Sequence, residues 1–192
     1  MAFDDVKLRP RVHVELTETR AHTEQVAQML IVSPVVKATS ADRDEVVQIC
    51  KEDHDENGQF PLSLSKLEAT VSRILDKSEG VIGIIRHSTE IEAVLVLQVG
   101  QFWYSDAFCL EEVLNFVRPK YRRSTHAKNM IGFAKRCSEE IGIPLVIGVV
   151  SNERTAAKME LYKRQLGEPC GGYFLYQKRP LVTSVAANAV RA

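Results

Sequence analysis

Long apolar runs are missing from this chain. None approaches the ~18 residues that a membrane-spanning helix needs, so no membrane role is expected. A charge excess of either sign is missing too: 25 lysines and arginines balance 25 aspartates and glutamates over 192 residues. That balance gives no global pull toward nucleic acid or an anionic membrane. The opening MAFDDVKLRPRVHVELTETR has no apolar stretch of the signal-peptide kind and too many acids for a transit peptide, so a cytoplasmic protein is expected. There is no Cys-x-x-Cys: Cys50, Cys109, Cys137 and Cys170 stand far apart. A disulfide framework or a zinc finger is therefore not expected, and free, mostly buried thiols are. His54, flanked by acids in EDHDE, is a poor metal ligand set, because consecutive side chains do not converge on one ion.

What is present is an ordinary globular composition, with 45% hydrophobic and 26% charged residues, enough for one α/β domain with a real core. Residues 1–33 read as an extension of uncertain structure and residues 179–192 as a tail, leaving 34–178 as the domain. Within it, Val35–Thr39 reads as a strand. A helix follows from Ala41 to about Asp53, with Val46, Val47, Ile49 and Cys50 at helical spacing and Ser40 as cap. KEDHDENGQFP is polar, ends in turn signals and reads as a loop. A second helix, Leu64–Lys77, carries one apolar stripe. The period then changes: Gly80–His87 and Ile91–Gly100 form a hairpin of buried strands, and Phe108–Val117 a third. Ser124–Glu140 is helical and ends at Gly142. Pro144–Ser151 reads as a strand, Asn152 as the cap of a last helix closed by Gly167, and Gly171–Lys178 as a final strand. The order β-α-α-β-β-β-α-β-α-β predicts a mixed sheet with helices on both faces.

The joint VRPKYRRSTHAKNMI stands out, because it gathers Arg118, Lys120, Arg122 and Arg123 before a helix. Basic residues are disfavoured at that end of a helix dipole by ~0.3–1 kcal/mol each, so either they are solvated or they bind an anion. A helix N-terminus with free N–H groups, two arginines and the hydroxyls of Ser124 and Thr125 suits a diphosphate.

This joint and the element order resemble the GNAT superfamily of acyl-CoA-dependent N-acetyltransferases. Its pyrophosphate loop follows Arg/Gln-x-x-Gly-x-Gly/Ala; here Arg122 takes the first position, Ala127 the last, and Thr125 replaces the first glycine. SNERTAAKMELYKRQLG supplies a second block, with Asn152, Tyr162, Leu166 and Gly167. The resemblance implies a mixed, mostly antiparallel central sheet in an α/β (α+β) fold. It also implies acetyl-CoA as co-substrate, an amine acceptor and direct attack on the thioester, and it is compatible with a homodimer.

For the site, the resemblance implies that Tyr162 is the acid for the leaving thiolate and Glu111 a base. The cofactor would be held by Phe116, Val117, Arg122, Arg123, Ser124, Thr125, His126, Ala127 and Asn152, with backbone groups of Phe116 and Val117 pairing the pantetheine arm like an added strand. Other readings stay open. Tyr162 is otherwise a core tyrosine, Glu111 a solvated or salt-bridged glutamate, Asn152 a plain cap and His126 a solvent-facing first-turn residue. By strand alternation, Glu111, Val113, Asn115 and Val117 share one face, and Glu112, Leu114 and Phe116 the other. The rival function is a non-catalytic module for assembly or regulation, which Thr125 in place of glycine keeps in play; a phosphate site unrelated to CoA is a third.

Overall fold

The computed structural model describes residues 34–77, 79–87, 89–151 and 154–176. The expected extension (1–33), the tail (179–192) and Asn152 lie outside the described residues. Five strands form one sheet in the order β1-β2-β3-β4-β5: β1 Val36–Lys37, β2 Gly80–His87, β3 Glu90–Gln101, β4 Phe108–Val117 and β5 Leu145–Val146. The first four are antiparallel to their neighbours, and β4 and β5 are parallel. The helices are α1 Arg43–Asn57, α2 Leu64–Lys77, α3 His126–Ile141 and α4 Thr155–Leu166.

Helices cover both faces, as the periodicity predicts. On one, Val46 and Ile49 of α1 and Val71 and Ile74 of α2 pack on Ile82, Ile84, Val94, Val96 and Phe116. On the other, Met130, Phe133, Ala134 and Cys137 of α3 pack on Ile85, Ala93, Leu95, Leu97 and Leu110. Each fully buried Ile or Leu contributes ~1.5–3 kcal/mol. Gly83 lets α3 come close, since a Cβ there would stand 2.7 Å from the Phe133 ring. Gly142 ends α3 with φ +77°, the left-handed cap expected of it.

Four expectations need correction. The loop predicted from KEDHDENGQFP begins too early, because α1 continues through His54 to Asn57. On that helix Glu45, Glu52 and Glu56 lie on the side that meets arginines from the joint. The strand Pro144–Ser151 shrinks to Leu145–Val146, and that of Val35–Thr39 to Val36–Lys37. Gly171–Tyr176 forms no strand, and its Tyr173, Phe174 and Tyr176 are exposed. Cys50, Cys109 and Cys137 are buried and free, with burial pushing the Cys50 thiol up to about 12; Cys170 is exposed.

Candidate active site

The site starts from how briefly β4 and β5 pair. Only Leu110–Leu145 and Glu111–Val146 are in register, whereas β4 runs on to Val117. Beyond that point the two segments part, and a cleft of about 200 Å³ opens beside Asn115, Phe116 and Val117. Its far wall is Ser151 and the α4 residues Ala157, Lys158, Leu161 and Tyr162. Its rim is Arg122, Ser124 and Ala127, with Glu56 and Asn57 from the end of α1.

A bulge decides which β4 side chains reach Tyr162. The β3–β4 register shifts between Val96 and Leu97, so that Leu97 faces Glu112, Val96 faces Leu114, and Val113 is left over. Strict alternation therefore fails. Leu110, Glu112, Asn115 and Val117 stand opposite alternate β3 residues and share one side; Glu111, Leu114 and Phe116 take the other. The Tyr162 hydroxyl donates to the Glu112 carboxylate, 3.0 and 3.2 Å from its two oxygens, and accepts from Asn115 Nδ2 at 3.1 Å. Lys158 Nζ donates to the Asn115 carbonyl at 3.3 Å. Burial pushes the Glu112 carboxyl up to about 7, against the opposing pull of the Tyr162 hydrogen bond and the Lys158 charge. Burial, then the charge of Glu112, raise the Tyr162 phenol well above its ordinary range, so it is a neutral proton donor at physiological pH. Asp53, also raised by burial, accepts from Asn57 Nδ2 at 2.8 Å.

Glu111, the base expected from the resemblance, does not line this cleft. Its carboxylate accepts from Gln98 Nε2 at 3.2 Å and lies against Gly100. The Val113 bulge is the physical reason: it exchanges the sides of Glu111 and Glu112. Sequence alternation carried no sign of it.

The arginine joint is more self-contained than expected. Arg118 Nε donates to Glu52 at 2.8 Å, and its Nη1 donates to Glu90 and to the Ile91 carbonyl. Lys120 pairs with Glu90. Arg122 Nε donates to the Val117 carbonyl at 2.9 Å, and its guanidinium pairs with Glu56 and lies over the Phe116 ring. The Ser124 hydroxyl donates to the Tyr121 carbonyl at 2.6 Å. Arg123 has no ion pair among the described residues, and the Thr125 hydroxyl accepts from Asn129, leaving its proton to donate. The backbone N–H groups of Arg123, Thr125 and Ala127 carry no hydrogen bond among the described residues. Three donors at alternate positions around the start of α3 make a place for an anion. His126 is neither solvent-facing nor in the cleft: it is buried, with Nε2 2.6 Å from Glu92.

Of the expected residues, the cleft brings together Phe116, Val117, Arg122, Ser124, Ala127 and Tyr162. Sequence reasoning missed Asn115 and Glu112, which only the bulge reveals, and Lys158, one turn before Tyr162 on α4.

A bulged central strand splayed from its parallel neighbour, with an anion-ready helix start beside the gap, defines an acyltransferase-like α/β fold. Specifically, the chain has the fold of the GNAT-type acetyltransferases. A predicted acetyltransferase from Clostridium acetobutylicum, solved with acetyl-CoA, matches with a TM-score of 0.62 and 17% identity over 74% of this chain and 94% of its own. An integron cassette protein from the mobile metagenome of Cole Harbour Salt Marsh matches with a TM-score of 0.60 and 23% identity, over 76% and 91%. AAC(6')-Iy, in complex with the bisubstrate analogue CoA-S-monomethyl-acetylneamine, matches with a TM-score of 0.59 and 15% identity, over 76% and 97%. No family model and no curated protein matches the sequence. No helix among the described residues is long and apolar enough to cross a membrane.

Proposed function

We propose that the protein is a cytoplasmic N-acetyltransferase that moves an acetyl group from acetyl-CoA to a primary amine by direct attack. The observation that carries this reading is the buried Tyr162–Asn115 pair lining the gap between β4 and β5, with part-buried Glu112 behind it accepting from the Tyr162 hydroxyl. Beyond Glu111, β4 has no partner strand on its β5 side among the described residues, so that edge can pair the pantetheine arm as an added strand. The N–H groups of Arg123, Thr125 and Ala127 and the Arg123 guanidinium then receive the diphosphate. A β4 backbone N–H would take the oxyanion.

The residues divide the proton traffic. Nitrogen bonds to the acetyl carbon, the tetrahedral adduct collapses, and the C–S bond breaks. Before that attack the Glu112 carboxylate takes the proton that the ammonium nitrogen sheds, through a water. Tyr162 gives its proton to the departing thiolate, and Glu112, now protonated, returns one to the phenolate. Glu112, with its carboxyl near 7, takes and gives a proton at neutral pH without a large penalty. It replaces Glu111 as base. Lys158 fixes the Asn115 backbone, and Asn115 holds the phenol oriented.

One observation favours the second reading, a non-catalytic module for assembly or regulation. Arg118, Lys120 and Arg122 already meet carboxylates, which leaves the loop less free charge for a diphosphate than its composition suggests. Calorimetric titration of the full chain with acetyl-CoA separates the two. Saturable binding that weakens in Arg123→Ala supports the enzyme, and no heat at millimolar acetyl-CoA leaves the module.

A further inference from the structure

A second cluster lies outside the cleft, and the acyl-transfer reading makes no use of it. His87 closes β2, Glu92 lies just inside β3, and His126 is the first residue of α3. Their ligand atoms all lie within 4.8 Å of one another. Oxygen Oε2 of Glu92 is 2.6 Å from His126 Nε2 and 3.0 Å from His87 Nδ1. Glu92 is 6% and His126 8% exposed, while His87 reaches the surface. A carboxylate with so little exposure is costly unless paired, and two imidazoles converge on it.

The backbone is shaped to make this meeting. The β2–β3 register shifts between Ile85 and Arg86: Ile85 faces Ala93 and Arg86 faces Ile91, so Glu92 is the extra residue of a bulge. Ile91 belongs to the core under α1 and α2, and Ala93 to the core under α3. The bulge turns the intervening carboxylate toward the start of α3, where His126 waits. Sequence spacing hid the set, because its members stand five and 34 residues apart.

We propose that His87, Glu92 and His126 form a binding site for a divalent transition-metal ion of the zinc class. Two neutral imidazole nitrogens and one carboxylate oxygen are a donor set that zinc accepts, with water completing a tetrahedron on the open His87 side. Binding needs each ring nitrogen to present its lone pair, so the imidazole protons move to His126 Nδ1 and His87 Nε2. His126 Nδ1 is buried without a hydrogen-bond partner among the described residues, so that imidazole lacks there the outer bond that tightens most metal-bound histidines. The site is accordingly exchangeable rather than locked. An ion there joins the β2–β3 turn to the first turn of α3 and stabilises the native state by mass action.

The test is a titration of the chelator-stripped full chain with cobalt(II) alone, followed by visible absorption, with zinc-dependent melting as a second readout. The expected result is d–d bands that saturate at one equivalent and a melting temperature raised by zinc. His87→Ala, at an exposed position that leaves the fold intact, should weaken cobalt binding at least roughly tenfold and cancel the zinc shift. Glu92→Gln should do the same where it folds. Absence of bands, or bands of equal strength and affinity in His87→Ala (adventitious binding by other histidines), overturns the proposal and leaves a hydrogen-bonded clasp. Neither result bears on acetyl-CoA binding.

Discussion

The Tyr162 hydroxyl stands 3.0 Å from the carboxylate of Glu112, across 50 residues of chain and inside the protein. A phenol and a carboxyl held this way share one proton-transfer path, and the expectations for both follow from that contact.

Tyr162→Phe removes the acid and leaves the cleft walls in place. We expect kcat to fall by ~10²-fold or more with acetyl-CoA affinity nearly unchanged, because this proton moves only in the transition state. Asn115 and Glu112 lose their common partner, so stability should also fall by ~1–3 kcal/mol. Steady-state rates per folded molecule, set beside thermal melts, separate the two effects. A stability loss with unchanged turnover would show a core tyrosine only.

Glu112 should also leave a mark on stability. Its carboxyl is raised from an ordinary 4.5 to about 7 in the folded chain, so the folded state holds the proton more tightly than the unfolded one. Below pH ~4.5 both states are protonated and no penalty exists. The penalty grows as pH rises from there to about 7, and above that it is complete, on the order of 3 kcal/mol. Glu112→Gln, neutral and nearly isosteric, should therefore lose less stability than the native chain between pH 5 and 8 in denaturant melts. Equal slopes would place the Glu112 pKa near its ordinary value. In activity assays the same variant should be slow at neutral pH and partly recover as pH rises and the amine arrives deprotonated.

The arginines of the joint should separate by role. Arg122 is half-enclosed against Glu56, Val117 and Phe116, so Arg122→Ala should cost stability as well as CoA affinity. Arg123→Ala should lower the acetyl-CoA-induced rise in melting temperature while leaving the stability of the unliganded chain within ~0.5 kcal/mol of native. If Arg123→Ala keeps the full shift, the diphosphate is held elsewhere.

Thr125→Gly tests the departure from a glycine-bearing loop. If the threonine hydroxyl donates to phosphate, acetyl-CoA binding weakens by ~1.5–3 kcal/mol, the range of a charge-assisted hydrogen bond. If the side chain crowds the cofactor, binding tightens; calorimetry reads either sign.

Much of the fold was legible because long periodic segments declare themselves. Leu64–Lys77, Gly80–His87 and Phe108–Val117 match their observed bounds. Short elements were not, since β1 and β5 keep only two residues each and the rest of their apolar runs is not paired as strand. The site was half legible. The pattern from Arg122 to Ala127 and the position of Tyr162 pointed to the cleft, but Glu111 did not, because a single bulged residue, Val113, exchanges the sides of the two glutamates. Nor did the sequence say why cations crowd the joint. Glu45, Glu52 and Glu56 recur at helical spacing on α1, and they meet Arg118 and Arg122 from 66 or more residues away. Two charge clusters that read separately as an anion site and a solvated loop are largely each other's partners.

The most direct test of the central claim is thiol release from acetyl-CoA by the native chain against a panel of primary amines, with Tyr162→Phe in parallel. The account predicts amine-dependent release for at least one acceptor, with acetylated amine formed in equal amount and a rate at least ~10²-fold lower in the variant. Acetyl-CoA that binds but is never turned over with any amine, or turnover that Tyr162→Phe leaves intact, would contradict it.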